Sequence, residues 1–130
     1  MVRKATCCCG ASSIEVDGEP RINAICHCRN CKARTGSAFG WSAYFADSQI
    51  QAKTGDFRVY EINRPDTQQQ RWFCARCGTT LYWQVSRWPG HTGVAGGCFV
   101  ETPLETPSLT ANNDGRCAWL GLPEDWRVVD

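Results

Sequence analysis

Residues 26–31 read CHCRNC, so three cysteines fall within six positions. Cys26 and Cys28 have a CxC spacing, which overlaps the CxxC spacing of Cys28 and Cys31. A CxxC turn directs two sulfurs at one ion, at about 2.3 Å each, because the chain reverses tightly between them. In an extended segment, residues i and i+2 face the same side, so Cys26 and Cys28 point together and His27 points away. This stretch therefore predicts a metal site built from thiolates.

Two further cysteine groups lie on either side of that stretch. Residues 7–10 read CCCG, a CxC spacing whose middle cysteine faces away, and residues 74–78 read CARCG, a CxxC pair followed by Gly78. Glycine suits this turn because it adopts positive φ without strain. Structural zinc takes four ligands, so seven thiols divide naturally into a closed site of four and an open site of three. The candidate ligands are Cys7, Cys9, Cys26, Cys28, Cys31, Cys74 and Cys77.

Spacing alone leaves the pairing of these groups open. One arrangement joins the two CxxC pairs as an ordinary zinc ribbon. The other joins the CxC pair at residues 7–9 to the second CxxC pair and leaves the CHCRNC cysteines together. The roles of the other potential ligands stay open, with packing as the simplest interpretation of each; they are Cys8, His27, Cys98 and Cys117.

Ten cysteines in 130 residues would also suit a disulfide framework. The charged start, MVRKAT, is followed by no apolar signal segment, so we expect a reducing, cytoplasmic location. Clustered cysteines in that compartment bind metal more often than they form disulfides. Iron–sulfur clusters also take thiolates, and a redox role for Cys74 and Cys77 is a further alternative, although no βαβ context surrounds them.

Composition and charge narrow the function classes. Hydrophobic residues make up 42% of the chain, charged residues 21%, and the formal net charge is +1. This balance argues against a nucleic-acid-binding module, which carries a basic excess. No apolar run reaches about 18 residues, so no membrane span is expected. The length predicts a single zinc-binding domain over residues 1–130.

Short segments punctuated by twelve glycines and six prolines predict a mainly β fold with little helix. Runs with strand character lie at residues 13–16, 21–25, 38–45, 57–62, 70–73, 81–85 and 92–100. The best helix candidate is short, at residues 30–36. The tail after Thr102 is expected to wrap the surface, with Trp119 and Trp126 holding it to the core.

At this point the chain resembles the glutathione-dependent formaldehyde-activating enzyme family, which also includes centromere protein V. The resemblance lies in four segments in matching order, which together span most of the chain. They are CCCGA at residues 7–11, CHCRNCK at 26–32, GSAF at 36–39 and FCARCGTTL at 73–81.

The resemblance implies a β-tent zinc fold of short antiparallel strands and two zinc ions per chain. By that resemblance, the structural zinc maps onto Cys7, Cys9, Cys74 and Cys77. The catalytic zinc maps onto Cys26, Cys28 and Cys31. The implied activity is that of a carbon–sulfur lyase of the S-(hydroxymethyl)glutathione synthase type, which adds glutathione to formaldehyde.

Glutathione, the small-molecule partner that the resemblance implies, carries two carboxylates that require basic side chains near the site. Arg29, Lys32 and Arg34 lie beside the three-cysteine group and are the candidate contacts. Phe39 and Trp41 are candidates for the pocket wall. The alternative function is a non-catalytic zinc-binding scaffold or interaction module of the same fold. The sequence does not indicate an oligomeric state.

Overall fold

Short runs of alternating apolar and polar residues, separated by glycine and proline turns, form the strands of this protein. A computed structural model describes residues 1–129. The strands are β1 (Val2–Thr6), β2 (Ser13–Asp17), β3 (Ile22–Cys26), β4 (Gly40–Ala46), β5 (Ile50–Thr54), β6 (Phe57–Arg64), β7 (Thr67–Cys74), β8 (Thr80–Val85), β9 (His91–Ala95), β10 (Leu109–Ala111) and β11 (Arg127–Val129). The prediction of a mainly β fold is confirmed.

The α-helix, α1 (Arg29–Thr35), lies one residue earlier than predicted. Cys28 caps its N-terminus, because the Cys28 side chain accepts a hydrogen bond from the Cys31 backbone N–H, and Gly36, with a φ of 62°, caps its C-terminus. Three short 3₁₀ turns complete the regular structure, at Asp47–Gln49, Gly96–Cys98 and Asn113–Gly115. No helix within residues 1–129 is long and apolar enough to cross a membrane.

The strands form two sheets. One has three strands in the order β1-β2-β5, and the other has eight in the order β11-β10-β3-β4-β9-β8-β7-β6. All pairs are antiparallel except two at one edge, where β10 runs parallel to β3 and β11 parallel to β10. This differs from the expectation of antiparallel strands alone, because the C-terminal segment returns along β3 in the same direction.

The core lies where the two sheets face each other. Strands of the small sheet contribute Ile14 and Val16, and the large sheet contributes Phe45, Leu81 and Val94, all fully buried. Burying a side chain of this size contributes roughly 1.5–3 kcal/mol. The apolar contact thereby holds the β1–β2 loop close to the β7–β8 turn, and both of these segments carry cysteines.

Two expectations for the C-terminal half were wrong. The run at residues 92–100 is a strand only as far as Ala95, because the chain turns at Gly96, where a Cβ would lie 2.4 Å from the Trp41 ring. Trp119 does not hold the tail to the core, since it is 76% exposed. The tail is instead held by β10 and β11, which add backbone hydrogen bonds to the edge of the large sheet.

Candidate metal centres

Four of the predicted ligands meet at one end of the molecule. Cys7 and Cys9 follow β1, Cys74 ends β7, and Cys77 lies in the turn before β8. Their sulfur atoms all lie within 4.8 Å of one another. The Sγ atom of Cys9 is 3.6 Å from Sγ of Cys7 and 3.9 Å from Sγ of Cys74.

The local geometry of this cluster differs in part from the geometry predicted from the sequence. Residues 7–10 form a tight turn, closed by a 3.0 Å hydrogen bond from Gly10 N to Cys7 O, instead of an extended segment. The Cys7 and Cys9 sulfurs therefore converge through the turn and not through strand alternation. In the second turn Gly78 has a φ of 82°, and its N–H donates to Cys74 O at 2.8 Å, as the CxxCG pattern predicts.

Two hydroxyl side chains that the sequence argument did not assign stabilise these sulfurs. Ser12 is buried, donates its backbone N–H to Sγ of Cys7 and donates its hydroxyl to Sγ of Cys74, each at 3.2 Å. The Ser12 hydroxyl lowers the pKa of the Cys74 thiol. The hydroxyl of Thr79, 3.2 Å from Sγ of Cys77, lowers the pKa of that thiol to about 5.

The four-cysteine cluster fits a closed zinc site. Tetrahedral coordination with Zn–S distances of about 2.3 Å places neighbouring sulfurs about 3.8 Å apart, and the observed separations are 3.6 and 3.9 Å. Thiolates that accept N–H and O–H donors are the expected ligands of such a site. The four cysteines could therefore hold one metal ion without rearrangement of the backbone.

The second cluster is built around the start of α1. Cys26 ends β3, Cys28 caps the helix and Cys31 lies in its first turn. The three sulfurs lie within 4.8 Å of one another and are half-buried. Cys28 has extended backbone angles, so here the i, i+2 argument holds and His27 faces away.

Hydrogen bonds shift the pKa values of two thiols of this second cluster in opposite directions. The Cys31 thiol, the Cys28 backbone and the Asn112 side chain together lower the pKa of Cys26 to about 5. Donation to Cys26 and burial raise the pKa of Cys31. Among residues 1–129 the cluster gains no fourth cysteine, histidine or carboxylate. Three protein thiols without a fourth ligand leave one tetrahedral position for another molecule.

The other potential ligands lie outside both clusters. His27 is fully buried, its Nε2 is 2.8 Å from Oγ1 of Thr110, and burial lowers its pKa. Cys8 is exposed and Cys117 is half-buried. Burial raises the pKa of Cys98 to about 11, which keeps that thiol protonated.

The three basic candidates have different environments. Arg29 is exposed, and Lys32 donates from Nζ to the carbonyl oxygen of Gly115 at 2.8 Å. Arg34 lies over the ring of Trp83, with Cζ 4.4 Å from the ring centroid, and lines a cavity of about 430 Å³. Phe39 and Trp41 line the same cavity. Of the three basic residues, only Arg34 is both partly buried and on a cavity wall.

This chain is similar to known proteins over the region that carries both cysteine clusters. The sequence model of the family described as glutathione-dependent formaldehyde-activating enzyme matches residues 2–112. A crystal structure of a Rhodobacter sphaeroides protein is similar, with 26% identity, 76% of this chain and 89% of that chain covered, and a TM-score of 0.58. Among curated proteins, none matches significantly. The family match includes all seven cysteines of the two clusters.

Proposed function

The chain belongs to the glutathione-dependent formaldehyde-activating enzyme family, and from this we propose that it is a zinc-dependent carbon–sulfur lyase-type enzyme. Its substrate would be a thiol adduct, and its reaction would resemble that of S-(hydroxymethyl)glutathione synthase. The observation that carries the proposal is the three-cysteine cluster, which is half-buried and has no fourth protein ligand within residues 1–129. A purely structural site would be expected to have four.

The two clusters would hold one zinc ion each. Cys7, Cys9, Cys74 and Cys77 would hold the structural ion, and Cys26, Cys28 and Cys31 the catalytic one. When bound there, zinc supplies the positive charge that keeps a thiol deprotonated at neutral pH. The single domain proposed for residues 1–130 would depend on the structural ion for its folding.

In the proposed reaction, the thiol sulfur adds to the carbonyl carbon of the aldehyde. A carbon–sulfur bond forms, the carbonyl π bond breaks, and the thiol proton ends on the former carbonyl oxygen. The chain's own contribution is positional: the start of α1 orients Cys28 and Cys31, while Asn112 orients Cys26. Holding the reacting groups in place converts an encounter in solution into a step within one complex.

The proposed location is the reducing cytoplasm. All ten cysteines are free of disulfide bonds. Seven of them would have to remain reduced to bind metal, because a thiolate ligand is lost when it is oxidised.

A second candidate function is an interaction module without turnover. Strand β6 is an eight-residue edge of the large sheet, so its outer backbone groups have no partner strand within residues 1–129. Its side chains Val59 and Tyr60 are 45% and 56% exposed. Such an edge can add a strand from another chain.

The test is the rate at which the zinc-loaded chain accelerates formation of S-(hydroxymethyl)glutathione. Exchange NMR with ¹³C-formaldehyde and glutathione separates the catalysed rate from the spontaneous one. We expect acceleration by the wild-type chain and by Cys117→Ser, which alters a half-buried thiol outside both clusters. Cys31→Ser should return the rate to the spontaneous value. A wild-type rate equal to the spontaneous rate, with both zinc ions bound, would favour the interaction module.

A further inference from the structure

His27 lies between two ligands of the three-cysteine cluster and contacts residues 110–115 through three of its groups. Its backbone N–H donates to the carbonyl oxygen of Ala111 at 3.0 Å, and its Nε2 atom is 2.8 Å from Oγ1 of Thr110. A Cβ at Gly115 would lie 2.4 Å from the His27 carbonyl oxygen, so only glycine lets the segment come this close. One segment therefore holds the amide, the imidazole and the carbonyl group of His27.

The hydrogen bond of the imidazole has a defined direction. The side-chain Nδ2 of Asn113 donates to the Thr110 carbonyl oxygen at 3.1 Å, which leaves Oδ1 of Asn113 to accept from the Thr110 hydroxyl at 2.9 Å. A hydroxyl group has one hydrogen, so Nε2 of His27 is the donor to Oγ1 of Thr110. A chain of hydrogen bonds thus runs from His27 through Thr110 to Asn113, and its first two members are buried.

Packing alone does not account for a histidine at this position. With its hydrogen on Nε2, the imidazole has an acceptor at Nδ1, which is buried and has no hydrogen-bond partner within residues 1–129. An unpaired buried polar atom costs free energy, and an apolar ring would pack against Phe39 without that cost. The bond to Thr110 is therefore what a histidine supplies here and an apolar ring does not.

The segment that holds His27 also contacts the cluster directly. Asn112 donates from Nδ2 to Sγ of Cys26 at 3.1 Å, and Ala111 is paired with Cys26 in the parallel register of β10 and β3. Because rigid peptide planes join residue 27 to its neighbours, its position sets the directions of the Cys26 and Cys28 side chains. Displacement of His27 from β10 would therefore move two of the three sulfurs.

We propose that His27 is a positioning residue of the three-cysteine cluster and that it acts through Thr110, not as a ligand. Its bond to Thr110 ties residues 26–28 to β10 and thereby sets the separation of the Cys26 and Cys28 sulfurs. The inference rests on the proposed function only in that a metal ion occupies this cluster. Groups that orient metal ligands change metal affinity by about 10- to 100-fold when they are removed.

The test is competition between the chain and a chromophoric zinc chelator, which resolves the release of each of the two zinc ions. Cys28→Ser identifies the release step that belongs to the three-cysteine cluster. Thr110→Val keeps the shape of the side chain and removes the hydroxyl, so we expect it to weaken that step about tenfold and leave the other step unchanged. Thr110→Ser, which keeps the hydroxyl, should bind both ions as the wild type does.

The matched control is Thr92→Val, because Thr92 is also buried and its hydroxyl also makes a 2.8 Å bond, to Oδ1 of Asp47. This variant should release both ions as the wild type does. His27→Phe should weaken the same step as Thr110→Val, and the double variant should weaken it no further, because both changes remove one bond. Near-ultraviolet circular dichroism establishes that each variant is folded.

If Thr110→Val weakens neither step, or weakens both steps equally, the proposal is wrong. If the wild-type chain binds a single zinc ion, the proposed function fails at this cluster, and hydrogen exchange of the His27 amide decides the role of His27. Its exchange should be about tenfold faster in Thr110→Val than in wild type, the effect of one lost hydrogen bond, and unchanged in Thr92→Val. Equal exchange rates in the two variants would overturn the proposal.

Discussion

The side-chain amide of Asn112 donates a 3.1 Å hydrogen bond to Sγ of Cys26, across 86 positions of sequence. Asn112 is also the one non-glycine residue within residues 1–129 with positive φ, at 56°. Asparagine tolerates this region better than most residues, but the conformation still carries a cost. The backbone strain therefore coincides with the point where the C-terminal segment contacts the three-cysteine cluster.

Asn112→Gly should weaken metal binding at the three-cysteine cluster by roughly tenfold, since outer hydrogen bonds of this kind change metal affinity by about 10- to 100-fold. Glycine keeps the positive φ, so the change isolates the lost N–H···S contact. Competition with a chromophoric zinc chelator measures the effect. If Asn112→Gly and wild type release zinc equally, the Asn112 contact has no part in metal binding.

Metal analysis should give two zinc ions per wild-type chain and one in Cys28→Ser. The serine variant should lose thiol-dependent activity and keep its fold, because α1 is short and contributes no buried side chain. Elemental analysis and far-ultraviolet circular dichroism provide the two readouts. Full activity in Cys28→Ser would show that the three-cysteine cluster is not the catalytic centre.

Cys74→Ser should leave the chain largely unfolded at 25 °C. A structural zinc contributes about 10–16 kcal/mol of binding free energy, which is as large as the whole stability of a typical domain, about 5–15 kcal/mol. Thermal unfolding followed by circular dichroism measures the loss, with Cys117→Ser as the control. A cooperative transition near the wild-type temperature in Cys74→Ser would contradict a structural role for this site.

Ser12→Ala should lower the free energy of unfolding by about 1–3 kcal/mol, because the hydroxyl is buried and its bond to Sγ of Cys74 is lost. Urea unfolding at fixed zinc concentration provides the measurement. Ser48→Ala is the matched control, since that serine is exposed in a 3₁₀ turn. A loss of unfolding free energy in Ser12→Ala no larger than in Ser48→Ala would show that the Ser12 hydroxyl does not stabilise the site.

Gly93→Ala should destabilise the chain by about 1–3 kcal/mol, the usual cost of overpacking, because the new methyl group would displace the Trp83 indole. The tryptophan fluorescence spectrum should change as well. Gly121→Ala, where an added Cβ meets nothing within 4 Å, should do neither. An unchanged Trp83 environment in Gly93→Ala would show that the close approach is not required.

Features governed by a few neighbouring residues were predictable from the sequence. The CxxCG turn at residues 74–78 and a short helix, predicted at residues 30–36 and found at Arg29–Thr35, follow from local preferences of the chain. The mainly β character follows from the short punctuated runs. The CxC turn at residues 7–10 was mistaken for extended chain, because a period-two spacing is also compatible with a tight turn.

Other features depended on strands far apart in sequence, and the residues alone left them open. The approach of Cys9 to Cys74, the donors of Ser12 and Asn112, and the contact of His27 with Thr110 could not be read from local patterns. Trp119 illustrates the same limit, since its apolar character predicted burial and it is exposed.

The sequence by itself thus determined the fold class, the seven candidate thiols and the CxxCG turn at residues 74–78, since these depend on contacts over a few residues. Spacing left open which thiols lie together, and only the tertiary structure decided which donors contact them. The physical reason is that sheet order and register, set by burial of the whole core, bring together side chains separated by 60 positions or more.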